Sequence, residues 1–304
     1  MSDTKIYMGI EPGAVSLKIA LVDGIEKRVL RTAVVPTEAS PIDDVYSFEV
    51  ALHGWMSSIE LENVDSISVT IPAFHSVIRQ VYIPAEAATH IDEYLQWYLE
   101  SITCAEKNAY VVDYKILSGQ PKVGFTVLLL AVRRQWVDGL RKGFRNKALA
   151  PKSMEVDVLS LMNLMDFSEK VDSLQCILKA DYTGVVLMWM GKDNLQGLRC
   201  VSTLPLIDKD EDVAFNMLAT EIVRQMELAK AEDAALDAKL IRLCGELALS
   251  EKFVEILRAV AKDCQVSLMD SFTNLRLPVE VGDAENVPVC SGAIGAALSL
   301  MEGV

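Results

Sequence analysis

The sequence predicts an α/β fold in which a strand-rich unit is started twice, with a small βαββαβ module set into the first copy. Three observations predict it. The opening carries three β-rich runs, "KIYMGIE", "SLKIALVD" and "RVLRTAVVP", joined at the turn-forming pairs Pro12-Gly13 and Asp23-Gly24. The same theme returns later as "LQCILKADYTGVVLMWMGKDNLQGLRCVSTLP", where "DYTG" and "GKDN" separate three more β-rich runs. Between the two, strand and helix signals follow the split order of a ferredoxin-like module.

Taken in order, the first meander leads to a helix over Asp44 to Ser58, where Val45, Phe48, Leu52, Trp55 and Met56 recur near helical spacing. "SISVTIP" is then a strand. From His75 come the strand "SVIRQVYIP", a helix from Ala85 to Ser101, the strands "AYVVDYKIL" and "GFTVLLLAV", a helix from Gln135 to Lys147, and a closing strand near "KSMEVD". A linking helix, "VLSLMNLMDF", precedes the second meander. After it the sequence predicts a long helix from Asp212 to Ala231, the strand "AKLIRLCG", a helix from Ser250 to Asp263, a short strand "VSLMD" and a small-residue helix "CSGAIGAALSLM". Weak repetition of one strand-rich unit is the mark of internal duplication.

Bulk properties narrow the function. The chain has 304 residues and is 51% apolar, enough for a substantial core and for two domains. Its formal charge of −14 opposes binding to nucleic acid or to an anionic bilayer. The longest apolar runs, such as Val127 to Val132, suit buried strands and fall short of a membrane span. The N-terminus has no export-signal pattern, so a cytoplasmic location is expected. Cys104, Cys176, Cys200, Cys244, Cys264 and Cys290 are scattered without metal-ligand spacing, and His53, His75 and His90 stand apart from one another. No metal site is assigned to them.

Several stretches together resemble one family. They are "GIEPGAVSLKIALVD" at the start; "VIRQVYIP", "YLQWYLES", "YVVDYKIL" and "VLLLAVRRQWVDGL" in the inserted module; then "MEVDVLSLMNL", "LATEIVRQMEL", "IRLCGELALSEKFVEIL" and "GAIGAAL". In this order and spacing the chain resembles the PilM-like type IV pilus assembly proteins of the actin-like ATPase superfamily, and more distantly the FtsA and GspL proteins. The resemblance implies an actin-like, ribonuclease H-like duplicated fold with two lobes around a cleft. It divides the chain into a first lobe at 1–74, to which 289–304 returns, an inserted ferredoxin-like subdomain at 75–155, and a second lobe at 156–288.

In the family the first hairpin embraces nucleotide phosphates, with an acidic residue holding hydrated magnesium. The resemblance places Glu11, Gly13, Ser16 and Lys18 there; Pro12 removes one N–H donor, and Ala14-Val15 stand where hydroxyls are expected. The second hairpin reads Lys179-Ala180-Asp181, or in another register uses Asp181, Thr183 and Gly184; a lysine does not ligate magnesium. On the adenosine side the resemblance places Glu221, Arg224 and Gly245, with Glu246 adding a negative charge at the turn. Plainer readings stand beside these: Pro12-Gly13 and Asp181–Gly184 are ordinary turn chemistry, and Glu221 with Arg224 is an ordinary helical ion pair.

The cofactor expectation is therefore open between none and ATP with magnesium. No catalytic residue is assigned, and turnover is not expected. What the resemblance implies instead is recruitment to the inner membrane, through the cytoplasmic tail of a PilN-like partner bound in a groove beside the inserted subdomain, with contact to an assembly ATPase and self-association as further options. Tyr94, Trp97 and Tyr98, dense on one helix, are the candidate partner surface, against the plainer reading that these rings pack on the module's own sheet. The alternatives are an active actin-like ATP-binding protein and a GspL-like type II secretion component.

Overall fold

The computed structural model describes residues 4–57, 64–104, 109–144, 150–168, 173–192, 194–202 and 209–301. β1 (Ile6–Pro12), β2 (Ser16–Asp23) and β3 (Arg28–Pro36) form an antiparallel meander, and α1 (Val45–Ser57) leads to β4 (Val64–Ile71), which runs parallel to β1. Every residue of β2 is buried, because a central strand covered on both faces needs a continuous apolar run, whereas β3 at the sheet edge mixes buried and open positions.

The second unit repeats the first. β9 (Gln175–Asp181), β10 (Gly184–Met190) and β11 (Leu195–Ser202) make another antiparallel meander, with Tyr182 and Thr183 as the two-residue turn between β9 and β10. α5 (Glu211–Glu232) follows, then β12 (Leu240–Cys244) parallel to β9, α6 (Glu251–Val260) and β13 (Gln265–Leu268). The second sheet has the order β11-β10-β9-β12-β13, and the first has β3-β2-β1-β4-β8, where β8 is Ser153–Val156. The duplication legible in the two meanders is thus a duplication of whole sheets. Caps set the helix starts: the Asp210 carboxylate accepts from Asp212 N–H at α5, and Ser250 Oγ accepts from Phe253 N–H at α6.

Between β4 and β8 stand β5 (Ser76–Pro84), α2 (Ile91–Thr103), β6 (Tyr110–Gln120), β7 (Gly124–Arg133) and α3 (Arg134–Gly143), with the sheet order β5-β7-β6. The closing strand that the sequence assigns to this module is β8, and it pairs instead with β4 of the first sheet, so the inserted sheet has three strands. α2 begins at Ile91 rather than Ala85. Residues Ala85–Ala87 form a 3-10 turn, while Asp92 and Glu93 sit in the first turn of α2, where carboxylates favour a helix start. α3 ends at Gly143; the remainder of the expected helix falls partly on 145–149, outside the described residues.

One large apolar core joins both sheets. Met8, Ile10 and Ile19 of the first share it with Ile177, Val186 and Met188 of the second, together with residues of α4 (Asp157–Met165) and α8 (Ser291–Leu298). A second core lies under α5 and α6, around Trp189, Ile222 and Phe253, and a small third one joins Leu95 of α2 to Val127 and Leu129 of β7. α8 packs closely on β1: a Cβ on Gly9 would lie 1.7 Å from the Ala293 carbonyl oxygen. Among the described residues no helix is long and apolar enough to cross a membrane.

Candidate functional site

The hairpins β1–β2 and β9–β10 face each other across the cleft between the two sheets, and their side chains meet in a closed ionic network. Glu11 and Lys18 are directly opposed in the β1–β2 register, and Lys18 Nζ donates to Glu11 Oε1 and to Asp181 Oδ1, at 2.9 Å each. Lys179 Nζ, from β9, lies 2.6 Å from Asp157 Oδ2, 2.7 Å from Glu11 Oε1 and 3.0 Å from Asp181 Oδ2. Glu246, in the 3-10 turn Glu246–Leu249 after β12, adds a carboxylate 3.8 Å from Lys18 Nζ. Two ammonium groups and four carboxylates, drawn from both sheets, from α4 and from the turn after β12, are all buried here.

Burial alone would favour a neutral amine at Lys18, but the Asp181, Glu11 and Glu246 carboxylates outweigh it and hold its pKa above the usual lysine range. Lys179 is held charged in the same way by Asp157, Asp181 and Glu11. At Asp181 burial is outweighed by Lys179 and then Lys18, and its pKa falls well below the carboxylate range. Asp157 and Glu246 go the other way: burial pushes both up, and Lys179 and Lys18 respectively offset only part of it. The four carboxylates outnumber the two cations, and these two acids hold their protons more tightly than a free carboxyl does.

Several hydrogen-bond donors at the hairpins are engaged within the protein. Gly13 N–H donates to the Ser16 carbonyl at 2.9 Å, Ser16 Oγ to Glu246 Oε1 at 2.9 Å, Tyr182 N–H to Glu246 Oε2 at 3.3 Å, and Glu246 N–H to Asp181 Oδ1 at 2.9 Å. The Glu246 carboxylate thus holds the Ser16 hydroxyl and the Tyr182 amide, and the Lys179 ammonium sits among Glu11, Asp157 and Asp181, where a cation would otherwise be held. A cavity of about 520 Å³ reaches the network at Asp181; Val15, Phe215 and Leu218 line it together with the polar Asp43, Thr183 and Lys209.

No family model matches the sequence, and no curated protein does. Solved structures do match. A chain of a PilM–PilN type IV pilus biogenesis complex superposes with a TM-score of 0.77 at 16% identity, over 96% of this chain and 98% of that one. A Bacteroides thetaiotaomicron protein of unknown function, described as having an actin-like ATPase fold, superposes with a TM-score of 0.52 at 12% identity over 88% of this chain and 94% of its own. This chain has the actin-like ATPase fold. The cytoplasmic domain of EpsL, an inner-membrane component of the type II secretion system of Vibrio cholerae, is also similar: TM-score 0.55, 13% identity, 97% of this chain and 95% of that one.

Within the actin-like cleft the residues singled out from sequence separate into two groups. Glu11, Lys18 and Asp181 belong to the network, Ser16 and Gly13 lie against Glu246, and Thr183 borders the cavity. Gly184 packs under Phe74, and Gly245, at φ +89°, has its Cα over the Ala180 backbone, where a Cβ would sit 2.6 Å from the carbonyl oxygen. Glu221 and Arg224 are not bonded to the network: they bond to each other in a bidentate pair at 2.6 and 2.7 Å, with Arg224 exposed on α5. Sequence reasoning left Asp157, Lys179 and Glu246 out of the site. Lys179 and Glu246 carried a signal, as charged residues in place of those a phosphate site uses; Asp157 carried none. On α2, Trp97 is exposed, while Tyr94 and Tyr98 are half-buried against the module's core, with the Tyr94 and Trp97 rings 5.8 Å apart.

Proposed function

We propose that this protein is a cytoplasmic scaffold of a type IV pilus or related secretion platform, recruited to the inner membrane by binding the cytoplasmic tail of a PilN-like membrane protein. The observation that carries the reading is the likeness to a chain of the PilM–PilN complex over nearly the full length of both chains. The network supports the second half of the reading, in which the protein works without nucleotide turnover: Lys179 does mechanically, by joining the lobes, what a bound cation and phosphate would otherwise do. The fold then serves as a rigid body that presents surfaces. The inserted module is the candidate docking element, with Trp97 the one aromatic of its helix free to enter a partner.

A second reading, a type II secretion component, is favoured by the likeness to the EpsL cytoplasmic domain. Titration calorimetry with synthetic cytoplasmic tails of pilus and secretion membrane proteins separates the two readings. The expected result is saturable binding of a pilus tail, weakened about ten-fold or more by Trp97→Ala, and no heat with MgATP. Binding confined to secretion tails would move the assignment, and ATP turnover would overturn the scaffold reading.

A further inference from the structure

The inserted sheet has an open edge. β6 pairs with β7 on one side, and among the described residues no strand lies on its other side. Along it Val111 is 37% and Ile116 48% exposed. Two side-chain hydrogen bonds identify which backbone groups point outward. Asp113 Oδ1 accepts from Tyr114 N–H at 2.8 Å, and the Tyr110 carbonyl accepts from Arg134 Nη2 at 3.4 Å. Because alternate residues of a strand direct their backbone groups to the same side, the outward set is Tyr110, Val112, Tyr114 and Ile116. The shift of register between Ile116 and Ser118 ends the regular edge. An unpaired edge of this kind is a template for a further strand.

The strand that fits it is its own copy. In an antiparallel pairing centred on Tyr114, Val112 faces Ile116 of the copy, Asp113 faces Lys115, and Tyr114 faces Tyr114. Opposite charges and apolar or aromatic side chains then meet directly on both sides of the axis. Moving the centre by one residue puts Asp113 opposite Asp113, or Lys115 opposite Lys115, which opposes pairing. Of these three registers charge favours the one centred on Tyr114, and the pairs from Val112 to Ile116 use only the regular part of the edge. Val112 and Tyr114 lie on the face covered by α2, and a cavity of about 320 Å³ between α2 and β6, bordered by Asp92, Gln96 and Tyr114, leaves room beside the central ring.

We propose that two copies of this chain associate through β6, joining their three-stranded sheets into one six-stranded sheet across a two-fold axis at Tyr114. The contact is isologous and closes as a dimer. On pairing, Asp113 exchanges its bond to Tyr114 N–H for Lys115 of the copy, and the freed amide donates across the axis. The proposal does not rest on the scaffold reading; a dimer forms or fails whatever the partner.

Light scattering after size exclusion, over a wide concentration range, tests it. The parent is expected to approach the dimer mass at high concentration. Asp113→Lys and Lys115→Asp each set like charges opposite one another and are expected to weaken association by about ten-fold or more. An equimolar mixture of the two variants restores opposite charges at every position and is expected to return the dimer mass, which also shows that both variants are folded. Tyr114→Cys is expected to form a disulfide-linked dimer on mild oxidation beyond any in the oxidised parent, since paired Cα atoms at a hydrogen-bonded site stand at disulfide distance. A parent that stays monomeric throughout, or a dimer indifferent to both charge reversals, would overturn the proposal.

Discussion

Lys179 shows how one side chain reassigns a site. Its ammonium touches three carboxylates within 3.0 Å in a buried setting, and removing it takes the cation from Asp157 and leaves Glu11 and Asp181 to share Lys18. Lys179→Met is expected to cost about 3–5 kcal/mol in urea unfolding; a loss below about 1 kcal/mol would mean the carboxylates are protonated or solvated without it. Glu155, on β8, is a separate case. Burial pushes its pKa up to about 7, against hydrogen bonds from Ser160 Oγ at 2.8 Å and Asn163 Nδ2 at 3.4 Å. The folded chain therefore keeps a proton that the unfolded chain releases at lower pH, so the stability tied to this group is complete below the unfolded pKa and is lost as pH rises toward 7. Glu155→Gln is expected to remove that decline, making the variant more stable than the parent at pH 8 by on the order of 2 kcal/mol. Denaturation curves at several pH values check it, and an unchanged slope would sink the idea. Asp181 has the opposite sign: its depressed pKa contributes stability that is present above the unfolded carboxylate pKa and lost as pH falls through the folded value.

At the scale of elements, the strands were legible and their partners less so. "SLKIALVD" and "GVVLMWM" read as strands because unbroken apolar runs bounded by turns suit burial on both faces, and both are buried throughout. β8 was legible as a strand, but four residues carry no mark of which sheet they will join; pairing with β4 depends on where α3 returns the chain. The start of α2 was misplaced because Ala85–Ala87 has helical composition, while the capping charges lie further on. α8 depends on small residues. Gly9 and Ala293 let helix and strand approach to a distance that excludes a Cβ, so Gly9→Ala is expected to push α8 off β1 and to destabilise by about 3 kcal/mol or more. Thermal melts would register this as a large drop in midpoint; a midpoint close to the parent's would show that the helix shifts without cost.

For the whole molecule, the two sheets share one apolar core and are also joined by the ionic network, so neither lobe has a separate interior on the cleft side. The inserted module's own cluster is too small to fold independently of the rest. Unfolding is therefore expected as one cooperative transition, with far-ultraviolet circular dichroism and tryptophan fluorescence coinciding; two separated transitions would show that the lobes hold together less tightly than their packing implies.

By itself the sequence determined the fold class and the two strand meanders, because apolar periodicity and turn chemistry are local and are written along the chain. It also marked the first hairpin, and with it Glu11 and Lys18, since those residues are cross-strand neighbours. Only the tertiary structure decided that Lys179 would sit among Glu11, Asp157 and Asp181, that Glu246 would hold the Ser16 hydroxyl of the opposite hairpin, and that Glu221 and Arg224 would bond to each other and not to the network. Those outcomes follow from distances between residues far apart in sequence, and whether a buried charge finds a partner is settled by where two sheets bring it, not by its neighbours in the chain.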